Sequence, residues 1–170
     1  MGVPAAISLD EYLRTSFPDL DREFRDGELV ERSTPDCLHA KAQGLLFLFF
    51  SSLSERFHVY PSIETRMLLS ARRALISDVA VFHPAAPPRI PDAPPLAAIE
   101  ILSLDDRLTE VREKLDEYRA WGVPHVWLTD PYSRRLYTCE DRLNEAAILQ
   151  IPELGIDVTP SDVFGKNTAG

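Results

Sequence analysis

"AAIEILSLDDRLTEVREKLDEYRAWGVPHVWLTD", residues 97–130, decides the architecture. Its first piece, Ala97 to Leu102, is a short apolar run of the kind that forms a buried strand, and its last, His125 to Asp130, is a second. Between them Leu108, Val111, Leu115 and Tyr118 recur at helical spacing and share one stripe of a helix from about Asp106 to Trp121, stopped by Gly122 and Pro124. Strand, helix and strand at this spacing predict a right-handed parallel unit. The first strand carries Glu100 at its centre, and a buried carboxylate is expensive unless something neutralises it.

Upstream, Asp36 to about Phe57 repeats the helical pattern with Leu38, Ala42, Leu45, Leu46, Phe49, Phe50 and Leu53, a long amphipathic helix packed on a sheet. "HVYPSIETRMLL" (58–69) and "LISDVAVF" (75–82) have the β-branched content of strands, joined by the "SARR" turn into an antiparallel pair. "HPAAPPRIPDAPP" (83–95) is a proline-rich surface crossover. Near the N-terminus Ser8 and Glu11 form a capping box for a short helix that stops before Pro18, and Asp26-Gly27 turns a hairpin. After Asp130-Pro131 a final strand pair extends to about Pro152, and Thr159-Pro160 starts a last helix. The expected fold is an α/β sandwich: a mixed β-sheet with the long early helix on one face and the later helix on the other.

With 170 residues, 45% apolar and 26% charged, the chain has the make-up of one globular domain. We expect a single unit over 1–170, with an N-terminal helix and hairpin in 1–35 and the core in 36–165. The longest apolar run, Gly44 to Phe50, is far below the roughly 20 residues of a membrane-spanning helix. The N-terminus lacks a basic segment followed by a long apolar one, so a cytoplasmic location is expected. Cys37 and Cys139 make neither a disulfide framework nor a zinc cluster, and each is expected to be a small apolar filler. The net charge of −9 is opposite to the basic footprint of a protein that holds nucleic acid mainly through phosphates, so any such role needs a local patch. Only three lysines (Lys41, Lys114, Lys166) stand against fifteen arginines, which makes a lysine in mid-fold conspicuous.

Period-2 alternation puts Ile76, Asp78, Ala80 and Phe82 on one face of their strand, and Ala98, Glu100 and Leu102 on one face of theirs. If the strands are neighbours with those faces aligned, Asp78 and Glu100 converge, and a cation between them relieves their repulsion. Magnesium, which takes one or two carboxylates plus water and phosphate oxygens, is the natural occupant. The competing reading leaves Asp78 in solvent at a strand end and pairs Glu100 with an arginine such as Arg107. Lys114 lies with Arg107 along one edge of the helical stripe, where it either reaches past the stripe to the sheet or pairs with Glu110 in solvent.

"SDVAVF", "AAIEILSLDDR" and "REKLDEYRAWGVPHVWLTDP" resemble, in order, motifs of the Uma-two family of restriction-endonuclease-like proteins within the PD-(D/E)XK nuclease superfamily. "DGELVERSTPDCLHA" and "GIDVTPSDVF" resemble the family's two ends, so the likeness spans nearly the whole chain. It implies a restriction-endonuclease-like core and a metal-dependent phosphodiesterase site. Asp78 matches the motif aspartate and Glu100 the second acid. The wider superfamily has a lysine two positions after that acid, where this chain has Leu102. The family pattern places it on the next helix, and Lys114 matches it. His39 matches a histidine facing the same cleft, and Glu31 is a weaker candidate. Ser77 departs from the pattern, standing where a proline usually precedes the aspartate.

The implied chemistry is magnesium- or manganese-dependent hydrolysis of DNA. Asp78, Glu100 and the peptide oxygen of Ile101 would hold the ion, Lys114 would orient or help deprotonate the attacking water, and His39 would act behind the ligands or on a phosphate. Otherwise His39 is an exposed residue at a helix N-terminus. Arg72, Arg73, Arg107, Arg112 and the Arg134-Arg135 turn are available as a phosphate-tracking rim. A homodimer is expected by analogy. The alternative, from another functional class, is an inactive member that keeps the scaffold for binding or regulation.

Overall fold

The computed structural model describes residues 6–18 and 21–166, so both ends of the expected 1–170 unit lie outside it. Helix α1 (Leu9–Arg14) is capped by Ser8, whose Oγ accepts the Glu11 N–H, and leads to strands β1 (Arg22–Arg25) and β2 (Glu28–Glu31). Asp26 and Gly27 join these two strands with φ of 51° and 91°, the paired left-handed conformations that a two-residue hairpin turn requires. Asp36 then caps α2 (Cys37–Phe57), its carboxylate accepting the Leu38 and His39 N–H groups. The long hairpin of β3 (Tyr60–Ser70) and β4 (Arg73–Phe82) follows, then the proline-rich crossover, β5 (Ala97–Ile101), α3 (Leu108–Trp121) and β6 (His125–Asp130).

The chain closes with β7 (Arg135–Cys139), β8 (Leu143–Ala146), β9 (Leu149–Ile151), β10 (Ile156–Val158) and α4 (Pro160–Phe164). Thr159 and Asp162 form a reciprocal capping box at the start of α4. The expected final strand pair is therefore β7 and β8. β9 leaves them and pairs with β10 in a separate two-stranded sheet.

The main sheet has eight strands, ordered β2-β1-β4-β5-β6-β7-β8, with β3 on the other edge of β4. Among the described strands only β5 and β6 run parallel, and α3 connects them as the spacing predicts. The sheet carries a core on each face. Val79, Val81, Ile99 and Ile101 pack with Leu46 and Phe50 of α2, while Ala80, Phe82 and Ala98 pack with Leu115 and Tyr118 of α3. Two ends of the expected stripes stay outside these cores: Leu38 and Leu108 are exposed, each in the first turn of its helix. Cys139 is buried, but Cys37, as the first residue of α2, is exposed and fills nothing. Among the described residues no helix is long and apolar enough to cross a membrane.

Phe50 is wholly buried in the α2 core, its ring edge-on to Phe49, whereas Leu48 on the same helix is 64% exposed. Phe50→Ala is expected to lower unfolding free energy by about 3–5 kcal/mol and Leu48→Ala by less than about 0.5 kcal/mol, measured by urea denaturation. Equal losses would place the core on the wrong face of α2.

Candidate active site

The site grows from a gap in the sheet. β3 runs along one edge of β4, so β1 and β5 share the other. β1 pairs at Arg73 and Ala74, and β5 only from Val79 onward. Between them residues 75–78 have no strand partner on that edge among the described residues, and their peptide groups need partners from elsewhere. Glu23 of β1 accepts the Ile76 N–H at 3.2 Å, and Lys114 of α3 donates to the Ile76 carbonyl at 2.7 Å.

Lys114 ties three elements together. Its ammonium lies 2.8 Å from Glu23 Oε1 and 2.9 Å from Glu100 Oε2. The Tyr118 hydroxyl, one turn further along α3, donates to Glu100 Oε1 at 2.9 Å. Burial pushes Glu100 up to about 8; Lys114 opposes that shift and Asp78 adds to it. Burial also works against the charge on Glu23, but Lys114, Arg73 and the Ile76 N–H together hold it below the usual carboxylate range. The charge of Lys114 is disfavoured by burial and more than restored by Glu100 and Glu23, so its pKa is raised. At neutral pH the ammonium thus has one firmly ionised partner, Glu23, and one that titrates nearby, Glu100. Burial, together with the neighbouring Glu100, raises the Tyr118 hydroxyl well above its normal range.

Asp78 occupies the other side of the gap. The Val79–Ile99 pairing, continued one step, sets it opposite Glu100. Its Oδ2 accepts the Ile101 N–H at 2.7 Å, while Oδ1 pairs with Arg32 and lies 3.7 Å from His39 Nε2. Arg32 also pairs with Glu64, which faces Asp78 across the β3–β4 hairpin and has a left-handed backbone, φ 49°. Gln43 of α2 donates to Glu64 Oε1 at 2.6 Å and to the Asp78 carbonyl at 3.0 Å, and His39 Nδ1 meets Ser103 Oγ at 3.1 Å. His39, Glu64 and Asp78 each bring a ligand-capable atom within 4.8 Å of the others.

The structure therefore brings Asp78, Glu100, Ile101, Lys114 and His39 together around one cavity of about 470 Å³. Asp78 is 2% exposed, not solvated at a strand end, and Glu100 pairs with Lys114 rather than with Arg107, which sits in solvent beside Glu110. His39 is buried, not an exposed helix terminus. Glu31 lines the cavity mouth but is exposed and paired with Arg22. Of the expected rim arginines, Arg73 lines the cavity but is half-buried against Glu117 and Glu23, and Arg134 donates to the Phe164 and Gly165 carbonyls. Glu23, Glu64, Arg32 and Gln43 escaped the sequence reading. No local pattern announced them, because their partners lie tens of residues away along the chain.

Residues 9–168 match the Uma2 family, described as "Putative restriction endonuclease". The chain belongs to that family. A solved structure of the same shape is that of "a putative nuclease belonging to DUF820" from Anabaena variabilis, with a TM-score of 0.78 at 20% identity over 93% of this chain and 97% of that one. A search of curated proteins returns no match. The site suits the divalent metal usual for nucleases: carboxylates from two adjacent strands meet at one cavity, with a histidine beside them.

Because Glu100 binds its proton more tightly in the folded chain than unfolded, where the ordinary value is 4.5, stability falls as pH rises between that value and about 8. Glu100→Gln is expected to flatten urea-midpoint profiles across this interval. An unchanged slope in the variant would assign the titration to another group.

Proposed function

We propose that this Uma2 chain is a magnesium- or manganese-dependent endonuclease that hydrolyses phosphodiester bonds in DNA. The observation that carries the reading is the meeting of Asp78 and Glu100 across adjacent strands, with the Lys114 ammonium on Glu100, in one open cavity. The family description and the shared fold agree with it. Asp78, Glu100 and the Ile101 carbonyl would hold the ion, which when bound polarises a phosphoryl oxygen and lowers the pKa of a coordinated water.

The chain's own groups do the rest. Lys114, fixed by Glu23 and the Ile76 carbonyl, presents a permanent positive charge beside Glu100, where it orients the attacking water and offsets charge that develops on the phosphate. His39 faces the cavity from the Asp78 side and would contact the substrate phosphate. The lining is rich in carboxylates, with Arg25 at the mouth, so a polyanion enters only after cations have neutralised them. We take the setting to be the cytoplasm and the assembly to be a homodimer. The sheet edge at β2, where Leu29 and Val30 are exposed, supports the second of these.

Supercoiled plasmid incubated with the protein and magnesium or manganese is expected to be nicked, and to stay intact in chelator. Asp78→Asn, Glu100→Gln and Lys114→Ala should each slow nicking by ~10²–10⁴-fold while the circular dichroism of the fold is kept. Wild-type protein that leaves plasmid intact with both ions, or nicking that survives Asp78→Asn, would defeat the assignment.

A further inference from the structure

Taking the cavity as a nuclease site, we propose that its substrate is single-stranded DNA, and that Leu38, Leu104 and Leu108 form an apolar collar at the mouth on which unpaired bases rest while the phosphate beside them enters.

The cavity is lined mainly by charged and polar groups, yet its border on the chain is apolar. Leu104 is 74% exposed, Leu38 and Leu108 are exposed too, and each is the chain neighbour of a lining residue: Ser103, His39 and Thr109. Val30 of β2, also exposed, lines the mouth itself. A strand, two helix starts and a loop thus each bring a large apolar side chain to one opening. Single exposed leucines are ordinary, but a set of them around a polar cleft marks a contact surface.

Leu104 is held out rather than left loose. It lies in a tight turn between Ser103 and Asp106, and both of these are pinned. The Ser103 N–H donates to Asp106 Oδ2 at 2.7 Å, the Asp106 N–H to the Ser103 carbonyl at 3.2 Å, and the Ser33 hydroxyl to Asp106 Oδ1 at 2.6 Å. Ser103 Oγ is in turn 3.1 Å from His39 Nδ1, so the turn is anchored to the wall of the site. A leucine presented on a fixed turn loses little freedom when something packs on it.

The position of the collar decides what that is. A protein partner seated on these leucines would cover the opening through which a phosphodiester must reach Asp78 and Glu100, so the molecule that covers them is the substrate. Intact duplex is a poor match, because its base faces are stacked inside and its surface offers phosphate, sugar and base edges. A single strand carries free base faces next to every phosphate, and leucine is among the side chains that pack against faces released from stacking. Arg107, exposed and paired only with Glu110 at 3.5 Å, stands between Leu104 and Leu108 on the chain and offers positive charge to the strand's phosphates. Supercoiled plasmid remains a substrate on this reading, since negative supercoiling favours locally unpaired stretches.

The test is fluorescence anisotropy of a short dye-labelled DNA strand, alone and annealed to its complement, with calcium in place of magnesium, on wild type, Leu104→Ser, Leu108→Ser, the double variant and Leu48→Ser. Wild type is expected to hold the single strand at least ~10-fold more tightly than the duplex. Leu104→Ser and Leu108→Ser should each lose ~5–10-fold on the single strand and little on the duplex, the scale of one lost base contact. Leu48→Ser, an equally exposed leucine far along α2 from the mouth, should change neither. All these positions are exposed, so the variants are expected to keep the fold. Equal affinity for the two forms of DNA, or a single-strand preference that survives in the double variant, would overturn the proposal. So would leucine variants that change the oligomeric state on size exclusion and leave DNA affinity as it was, which would make the collar a protein interface. A single-strand preference carried by the leucines in a protein that nicks no plasmid would count against the nuclease reading and keep the collar, whereas nicking without that preference would do the reverse.

Discussion

A strand edge without a strand beside it governs this molecule. Where β1 stops pairing with β4 and β5 has not yet begun, the peptide groups of Ile76 are buried and must be satisfied by side chains. Glu23 and Lys114 do this, and both are charged. Burying one charge requires its partner, since an ion stripped of water and left unpaired costs several kcal/mol. The gap therefore propagates: Lys114 draws in Glu100, Glu100 draws in Tyr118, and Glu23 also takes Arg73 at 3.6 Å. A backbone accounting problem becomes a polar site at the junction of three strands and a helix.

The charges in that site do not balance by themselves. Glu23, Glu64, Asp78 and Glu100 are carboxylates, and Arg32 and Lys114 are the cations that touch more than one of them. Arg73 also reaches Glu23 but is shared with Glu117, so the cations fall short of the acids, and burial together with the neighbouring Asp78 raises the pKa of Glu100. Such a deficit is itself an affinity for positive charge. Under the proposed function, a chain of net charge −9 would admit a polyanion only after the cavity had collected cations.

Much of this could be read from residues alone, because period and register are written in the chain. Alternation placed Asp78 and Glu100 on matching faces, and the β4–β5 register aligns them as that alternation implied. Helical spacing put Lys114 at the edge of the Leu115–Tyr118 stripe, the position from which it reaches the sheet. Glu64 was hidden for a physical reason. In "SIETR" it has the look of an exposed strand residue, and nothing local announces either its left-handed backbone or the β3–β4 register that sets it opposite Asp78. Arg32 and Glu23 were hidden because their partners lie tens of residues away, and long-range charge pairing leaves no local pattern.

Ser77 shows how a departure from a family pattern can be absorbed. A proline before the aspartate fixes φ and constrains the residue ahead of it, shaping the strand into the site. Here Ser77 is fully buried and its hydroxyl donates to the Val79 carbonyl at 2.8 Å, spanning Asp78 from one side to the other. That local bond spans residues 77–79, where a ring would have stiffened 76 and 77, and Ser77 remains in register with Thr65 of β3. Asp78 is then held from three directions: by the Ser77 bridge along the chain, by Gln43 on its carbonyl, and by the Ile101 N–H on its carboxylate. The position of the carboxylate depends on this set of bonds rather than on a ring, so the serine is compatible with a fully formed site.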